Sequence, residues 1–240
     1  MLNNLWYAVE FSTAITAQPQ QITLMEHHVV LYRDDQGKVI ALNDRCAHRG
    51  ASLALGWTEE NCLRCPYHGW KYDANGRCVE IPANQLEMAI PKRAQVTAYP
   101  VEERHGFVWL WWGEQAANRA LIPDLPQFAA PNHRCQDEFR WNAHYTRVIE
   151  NNVDVSHPPF LHRRMGQRQD HNAEIEQLIV EPMGEWGASV TLNAKMKKLK
   201  GIWQPLVAQQ GEMGSTRRHA FYLPNFTTLE LNFGRFQLAF

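Results

Sequence analysis

Two short segments of this chain each combine one cysteine with one histidine. The first is Cys46-Ala-His48 and the second is Cys65-Pro-Tyr-His68. Two thiolates and two imidazoles can hold a [2Fe–2S] cluster, with both cysteines on one iron and both histidines on the other. The same ligand types can hold a tetrahedral zinc ion, and scattered core side chains without a metal are the remaining alternative. Because Gly50, Pro66 and Gly69 stand where tight loops need them, the pattern favours the cluster.

A second group of candidate metal ligands follows later in the chain. Asp154, His157 and His162 lie in Glu150-Asn-Asn-Val-Asp-Val-Ser-His-Pro-Pro-Phe-Leu-His162. Residues three apart share a face of a helix, so we expect Asp154 beside His157. The two prolines end the helix, and the turn that they impose can bring His162 back towards the same point. Two neutral imidazoles and a carboxylate form the ligand set of oxygen-activating non-haem Fe(II) sites. Taken alone, these residues also fit a polar helix end with two surface histidines.

Strand-like runs surround the first group of ligands. Two β-prone runs flank a turn-rich link and predict a hairpin, and a second pair of runs predicts another hairpin of the same kind. A separate apolar run predicts a buried strand. These runs are Val29–Arg33 with Val39–Leu42, residues 70–72 with 77–81, and Phe107–Trp112. The sequence therefore predicts a small all-β domain over residues 1–115.

The second half of the chain has a different organisation. Residues 113–135 contain three prolines without clear periodicity and are interpreted as a link. Residues 138–155 have room for a strand running into a helix, and strand-like runs return at residues 188–192, 218–223, 227–233 and 236–240. We expect a second domain over residues 116–240, and the α+β class for the whole chain.

Composition excludes several classes of protein. The 240 residues carry 24 Lys and Arg against 25 Asp and Glu, and this balance argues against a nucleic-acid-binding protein. No apolar run approaches the ~20 residues of a membrane-spanning helix, and the N-terminus lacks a secretory signal. Five cysteines are an odd number, too few for a disulfide scaffold, so we expect metal ligation in the reducing cytoplasm.

Both ligand groups resemble the motifs of one protein family. Cys46-Ala-His-Arg-Gly50 and Cys65-Pro-Tyr-His-Gly-Trp70 resemble the two loops of Rieske iron–sulfur proteins, and the spacing from Glu150 to His162 is similar to the mononuclear-iron motif of Rieske non-haem iron oxygenases. The opening, with Asn4-Leu-Trp-Tyr7, looks most like the oxygenase components of the vanillate and dicamba O-demethylase and pheophorbide and chlorophyllide oxygenase group.

The resemblance implies a role for each candidate residue. The implied cluster ligands are Cys46 and Cys65 on one iron and His48 and His68 on the other. The implied ligands of the mononuclear iron are His157 and His162. Asp154 matches the acid that joins an iron-ligand histidine to the partner subunit's His68, and such a carboxylate orients both imidazoles. Asn151 lines the iron pocket or supports it from outside.

The resemblance also implies a fold, a reaction and partners. The second domain becomes part of a helix-grip fold, an antiparallel sheet with helices. A reductase or ferredoxin delivers electrons from NAD(P)H, and a mononuclear Fe(II) activates O2 to hydroxylate or O-demethylate an organic, aromatic substrate. Electron transfer between subunits implies a homotrimer. The alternative function is a Rieske-type electron carrier without oxygen chemistry.

The third iron ligand of the family, an aspartate well over a hundred residues after the second histidine, is not found. The later acids are Asp170, Glu174, Glu176, Glu181, Glu185, Glu212 and Glu230, and none has the family's sequence setting. We therefore expect a C-terminally truncated oxygenase. Seven further histidines, His219 among them, lack partners at ligand spacing and are interpreted as structural.

Overall fold

The chain divides into two compact units, Met1–Leu125 and Pro126–Phe240. The computed structural model describes residues 2–84, 88–128, 135–154, 157, 161, 173–196, 213–233 and 236–239. The boundary predicted between residues 115 and 116 stays a prediction.

The first unit consists of eleven short strands among its described residues. They are β1 (Leu5–Phe11), β2 (Gln20–Leu24), β3 (His27–Arg33), β4 (Val39–Asn43), β5 (Trp57–Glu59), β6 (Cys62–Arg64), β7 (Lys71–Tyr72), β8 (Cys78–Glu80), β9 (Ala98–Tyr99), β10 (Val101–Arg104) and β11 (Phe107–Trp112). They form three antiparallel sheets with the orders β1-β11-β10, β2-β3-β4-β9 and β5-β6-β7-β8. The predicted hairpins and the predicted buried strand at 107–112 are confirmed.

The two predicted hairpins turn by the same device. In the β3–β4 turn, the Asp34 carboxylate accepts hydrogen bonds from the amides two and four residues later, at 3.0 and 2.8 Å. In the β7–β8 turn, Asp73 does the same at 2.9 Å for both amides. Aspartate favours such turns because its short side chain satisfies nearby backbone donors. The repeated Asp-x-x-Gly spacing is therefore a local signal that specifies both turns.

The core of the first unit extends to the two candidate thiols. Cys46 and Cys65 are 3% and 1% exposed, and they pack in one apolar cluster with the fully buried Tyr32, Leu63 and Tyr72. The β2–β3–β4–β9 and β5–β6–β7–β8 sheets both contribute to this cluster. The thiols are thus held by the same packing that stabilises the unit.

The second unit combines one helix with one sheet in its described part. The helix is α1 (Tyr145–Val153), and the strands are β12 (Ala173–Pro182), β13 (Gly187–Met196), β14 (Met213–Tyr222), β15 (Phe226–Phe233) and β16 (Phe236–Ala239). The strands pair antiparallel in sequence order, and α1 contacts β14 and β15. An all-β unit followed by a helix and an antiparallel sheet confirms the predicted α+β class.

One detail of the second unit differs from the prediction. We expected a strand leading into the helix between residues 138 and 155, but residues 135–144 contain no strand. This segment is exposed and does not pair with the sheet, and a strand requires a paired neighbour to satisfy its backbone groups. The expected strands after residue 187 are all present. In the part of the chain that the structure describes, no helix has the length and apolarity needed to cross a membrane.

Candidate functional site

The two cysteine–histidine segments fold into loops with the same hydrogen bonds. In the first loop, the Cys46 amide donates to the Ala51 carbonyl at 2.9 Å, and the Gly50 amide donates to the Cys46 carbonyl at 2.9 Å. In the second loop, the Cys65 amide donates to the Trp70 carbonyl at 2.8 Å, and the Gly69 amide donates to the Cys65 carbonyl at 3.0 Å. Two segments without continuous sequence similarity therefore adopt one backbone geometry.

A left-handed glycine closes each loop. Gly50 has a φ of +73° and Gly69 a φ of +69°, a region that side-chain-bearing residues rarely adopt. Each glycine supplies the amide that returns to the cysteine carbonyl, so each is needed for the turn that follows the ligands.

The loops place sulfur inward and nitrogen outward. Cys46 and Cys65 are buried, and their sulfur atoms interact directly. His48 and His68 are exposed, with ring centroids 4.7 Å apart, and His48 also stacks on Trp70 at 4.7 Å and 1°. Two adjacent thiols beside two adjacent imidazoles fit a [2Fe–2S] cluster with one pair on each iron. Neither here nor elsewhere among the described residues do three His, Cys, Asp or Glu side chains converge to hold a single metal ion.

Backbone amides prepare the second loop for an anionic sulfur. Burial raises the pKa of the Cys65 thiol, and the neighbouring Cys46 adds to the increase. The amides of Tyr67 and His68 donate hydrogen bonds that lower it. Because hydrogen bonds to a charged acceptor favour the charged form, these amides stabilise the thiolate that a metal requires.

Tyr72 contacts the first thiol from within the core. Its hydroxyl oxygen lies 3.1 Å from the Cys46 sulfur and also accepts the Ala47 amide at 3.1 Å. Since the oxygen is the acceptor for Ala47, its proton remains for the sulfur. Burial raises the pKa of Tyr72 well above its ordinary value, so the hydroxyl keeps that proton. The sequence analysis did not identify this residue, because its contact with Cys46 spans 26 positions.

Asp44 stabilises the first loop from behind. This carboxylate is 3% exposed and accepts hydrogen bonds from the Ser52 hydroxyl at 2.7 Å, the Ala54 amide at 2.6 Å and the side chain of Gln21. A buried carboxylate with three donors fixes both ends of the loop. Sequence reasoning missed this residue too, although an acid two positions before the first cysteine was visible.

The second candidate site begins where α1 ends. The helix stops at Val153, and Asp154 is its extended C-cap with a φ of −74° and a ψ of 115°. The expectation that Asp154 and His157 share a helical face is therefore wrong, because the chain leaves the helix before either residue. Their predicted contact still forms, with Asp154 Oδ2 3.3 Å from His157 Nδ1. Asp154 is 43% exposed and His157 20%.

The two asparagines before Asp154 lie in different environments. Asn151 is exposed on the last turn of α1. Asn152 faces the sheet, where its side-chain amide donates to the Thr227 hydroxyl at 2.7 Å. Only Asn151 was singled out from the sequence, so the contact of Asn152 was missed. His162 lies outside the described residues, and its place as an iron ligand stays a prediction.

No third iron ligand is identified among the described residues. Among the acids named as alternatives, Glu230 forms an ion pair with Arg218 at 3.1 Å. The described part of the site therefore comprises one imidazole, His157, and the carboxylate that contacts it. The donor types fit a mononuclear iron: an imidazole with a carboxylate near Nδ1 is a common iron-ligand arrangement, in which Nε2 is the ligand atom.

Two family models match this chain. Residues 5–100 match the Rieske [2Fe-2S] domain, and residues 141–233 match the vanillate O-demethylase oxygenase C-terminal domain. The first match includes both loops, and the second includes α1 and the strands β12 to β15.

Curated relatives are oxygenase subunits. The toluene-4-sulfonate monooxygenase system iron-sulfur subunit of Comamonas testosteroni is 38% identical over 164 residues, which cover 67% of this chain and 46% of that one. The dicamba O-demethylase oxygenase component of Stenotrophomonas maltophilia is 31% identical over 181 residues, which cover 75% and 53%. The chain thus spans about half the length of these relatives.

The fold agrees with a solved structure of the same group. Dicamba monooxygenase bound to dicamba aligns with a TM-score of 0.81 at 23% identity, over 98% of this chain and 68% of that one. The resemblance inferred from the loop and helix motifs is confirmed. The chain belongs to the Rieske oxygenase family and joins a Rieske [2Fe-2S] domain to an oxygenase domain of the vanillate O-demethylase type.

Proposed function

We propose that this protein acts as an oxygenase component that uses electrons and O2 to hydroxylate or O-demethylate an organic, aromatic substrate. The observation that carries the proposal is the presence in one chain of two ligand groups, the loops with Cys46 and Cys65 and the Asp154–His157 contact. An electron carrier needs only the first. When bound, a [2Fe–2S] cluster supplies single electrons and a mononuclear Fe(II) supplies the site of O2 activation.

Each candidate residue has a separate role in this proposal. Cys46 and Cys65 would hold one iron of the cluster inside the core, and His48 and His68 the other at the surface. His157 and His162 would hold the mononuclear iron. Asp154 would favour the His157 tautomer that carries its proton on Nδ1, because a carboxylate lies beside that nitrogen, and Nε2 would be the ligand atom.

The exposed positions favour electron transfer between subunits. His68 is exposed at the loop surface, and Asp154 is 43% exposed at the end of its helix. We infer that the second oxygen of Asp154 accepts a hydrogen bond from the partner subunit's His68 in a homotrimer. A reductase or ferredoxin, with NAD(P)H as the ultimate donor, completes the system, and we place it in the cytoplasm.

Relatives do not agree on the substrate. Two are named for aromatic anions, toluene-4-sulfonate and 3-chlorobenzoate, whereas others are named for an alcohol, tert-butanol, and for a sterol. The substrate therefore has to be inferred from residues of this chain.

Metal analysis and single-turnover kinetics test the proposal together. In an oxygenase that includes the third iron ligand, we expect three irons per chain, and fast oxidation of a pre-reduced cluster when O2 and substrate are added. His157→Ala should keep two irons and lose the fast oxidation. His144→Ala is the matched control, since His144 lies at the other end of the same helix. Two irons in the wild-type protein, with no substrate-dependent oxidation, would instead support an electron carrier.

A further inference from the structure

A largely buried arginine stands directly before the second cysteine of the two loops. Arg64 is the last residue of β6, and its side chain is 12% exposed. Its guanidinium donates two hydrogen bonds to the Glu80 carboxylate, at 3.0 and 2.9 Å, and another to the Glu59 carboxylate. A planar guanidinium matches a carboxylate in such paired contacts. Two carboxylates, one on β5 and one on β8, therefore hold the guanidinium in one orientation.

The same guanidinium holds the backbone of the second loop. Arg64 donates to the Gly69 carbonyl at 2.8 Å, while the Gly69 amide donates to the Cys65 carbonyl at 3.0 Å. Glycine has more backbone freedom than any other residue, so both of its peptides need such contacts to stay in place. The first of these peptides joins Gly69 to His68, and the second joins it to Trp70. Arg64 thus fixes the chain between these two rings.

The two rings lie against the histidine of the first loop. Trp70 stacks on His48, with ring centroids 4.7 Å apart and planes inclined by 1°. His68 also lies beside His48, with 4.7 Å between their ring centroids. A displacement of the Gly69–Trp70 peptide would therefore disturb the ring that covers one candidate ligand and the backbone that carries the other.

The first loop offers an internal comparison. Arg45 stands directly before Cys46, as Arg64 does before Cys65, and each loop has its left-handed glycine four residues after the cysteine. Arg45 also lies against its glycine, since a Cβ at Gly50 would be 3.0 Å from Arg45 Nε. The Arg45 side chain is nevertheless exposed, and its guanidinium forms no ion pair with any described residue. Only the arginine of the second loop is built into a network.

The charges of this network are fixed at neutral pH. The hydrogen bond to Glu80 raises the pKa of Arg64, and the same bond lowers the pKa of Glu80. Lys71, whose side chain is 7% exposed, places a second cation 3.9 Å from the Glu80 carboxylate. Replacing Arg64 by lysine would keep the net charge of the network, so the effect of position can be measured apart from the effect of charge.

We propose that Arg64 is a positioning residue for the cluster: it holds the Gly69–Trp70 peptide against Glu80 and thereby fixes the orientation of the His68 imidazole and, through Trp70, that of His48. Groups outside the ligand set orient metal ligands and tune the metal in this way. The inference goes beyond the proposed function, because it concerns only the Rieske cluster and applies equally to an oxygenase and to an electron carrier.

Electron paramagnetic resonance of the dithionite-reduced protein, kept anaerobic, tests the inference. Arg64→Lys keeps the charge, but an ammonium cannot span the carbonyl and the carboxylate as a planar guanidinium does. We expect this variant to retain its cluster and to show shifted g-values and broader lines than the wild type, because the imidazoles adopt a range of orientations. Arg45→Lys is the matched control, the same change at the equivalent position of the first loop, and should give the wild-type spectrum. Iron content is measured on the same samples.

Two results would overturn the inference: a wild-type spectrum in a fully loaded Arg64→Lys, and equal changes in the two lysine variants. If Arg64→Lys does not retain the cluster, Glu80→Gln decides. This variant keeps the arginine but weakens the paired contact that orients it, so we expect a smaller change of the same kind, and an unchanged spectrum overturns the inference. The spectrum requires neither O2 nor a mononuclear iron. A protein without substrate-dependent oxidation therefore contradicts only the proposed function, and an insensitive spectrum contradicts only this inference.

Discussion

Replacing Tyr72 with phenylalanine should lower the reduction potential of the cluster that we place between the two loops. The Tyr72 hydroxyl lies 3.1 Å from the Cys46 sulfur, and its oxygen accepts the Ala47 amide at the same distance. Its proton is therefore directed at the sulfur. Reduction makes the cluster more negative, so a hydrogen bond to a ligand sulfur stabilises the reduced state more than the oxidised state.

The size of the effect follows from the strength of such a bond. A hydrogen bond to a charged group contributes about 1.5–3 kcal/mol in total. If roughly 1 kcal/mol of this favours the reduced state, the one-electron potential falls by roughly 40 mV in Tyr72→Phe, since 59 mV corresponds to a factor of ten. Stability should fall by only about 1 kcal/mol, because the Ala47 amide can turn to water.

The measurement is a redox titration followed by electron paramagnetic resonance. Tyr32→Phe is the matched control: Tyr32 is fully buried in the same cluster of side chains, but its hydroxyl has no hydrogen-bond partner within the described residues. Its potential should be unchanged and its stability equal or higher, since a buried unsatisfied hydroxyl is lost. An unchanged potential in Tyr72→Phe, or an equal fall in both variants, would refute the reasoning.

Three further changes test the scaffold around the two sites. Glu103→Gln should reduce the loss of stability in acid, measured by thermal denaturation against pH. Arg33 lowers the pKa of Glu103, so their ion pair stabilises the fold above the ordinary glutamate pKa. This contribution is lost as the pH falls through the lowered pKa. Asp44→Ala should lower the free energy of unfolding in urea by about 2–4 kcal/mol, because it leaves buried donors without an acceptor. Asp44→Asn should lower it by less. Asn152→Ala should cost about 1 kcal/mol in the same assay, whereas the exposed Asn151→Ala should stay within about 0.5 kcal/mol.

Each of these expectations has a clear contrary result. An acid transition identical in the wild type and Glu103→Gln would show that the ion pair contributes nothing measurable. Full stability in Asp44→Ala would mean that water replaces the carboxylate. Equal losses in the two asparagine variants would mean that the contact between α1 and β15 is not what Asn152 provides.

Sequence reasoning succeeded where the determining interactions are local. The Asp-x-x-Gly turns, the strand at Phe107–Trp112 and the cysteine–histidine loops are each specified within a few residues. It failed where a residue's partner is distant. Tyr72 meets Cys46 across 26 positions, and nothing in its own surroundings marks it. The end of α1 was misplaced because proline was taken as the stop, whereas the backbone already turns extended at Asp154.

Register also explains why the two faces of β14 could not be distinguished in the sequence. In sequence, Arg217, Arg218 and His219 form one polar run, and His219 was interpreted as structural. Only the pairing of β13, β14 and β15 separates them, placing Arg218 beside Glu230 on one face and the other two on the opposite face. A shift of one residue would exchange these faces. The chemistry of this sheet is therefore decided by its strand pairing.

Both candidate metal sites follow one physical rule, although they lie in different units. In the first, buried thiols anchor the site in the core and the imidazoles stay at the surface. In the second, Asn152 ties the helix to the sheet, while Asp154 at the helix end is 43% exposed. Buried contacts fix the geometry, since packed cores do not deform continuously. The exposed groups are then held rigidly at a surface, which is what the proposed electron transfer to a second copy of the chain requires.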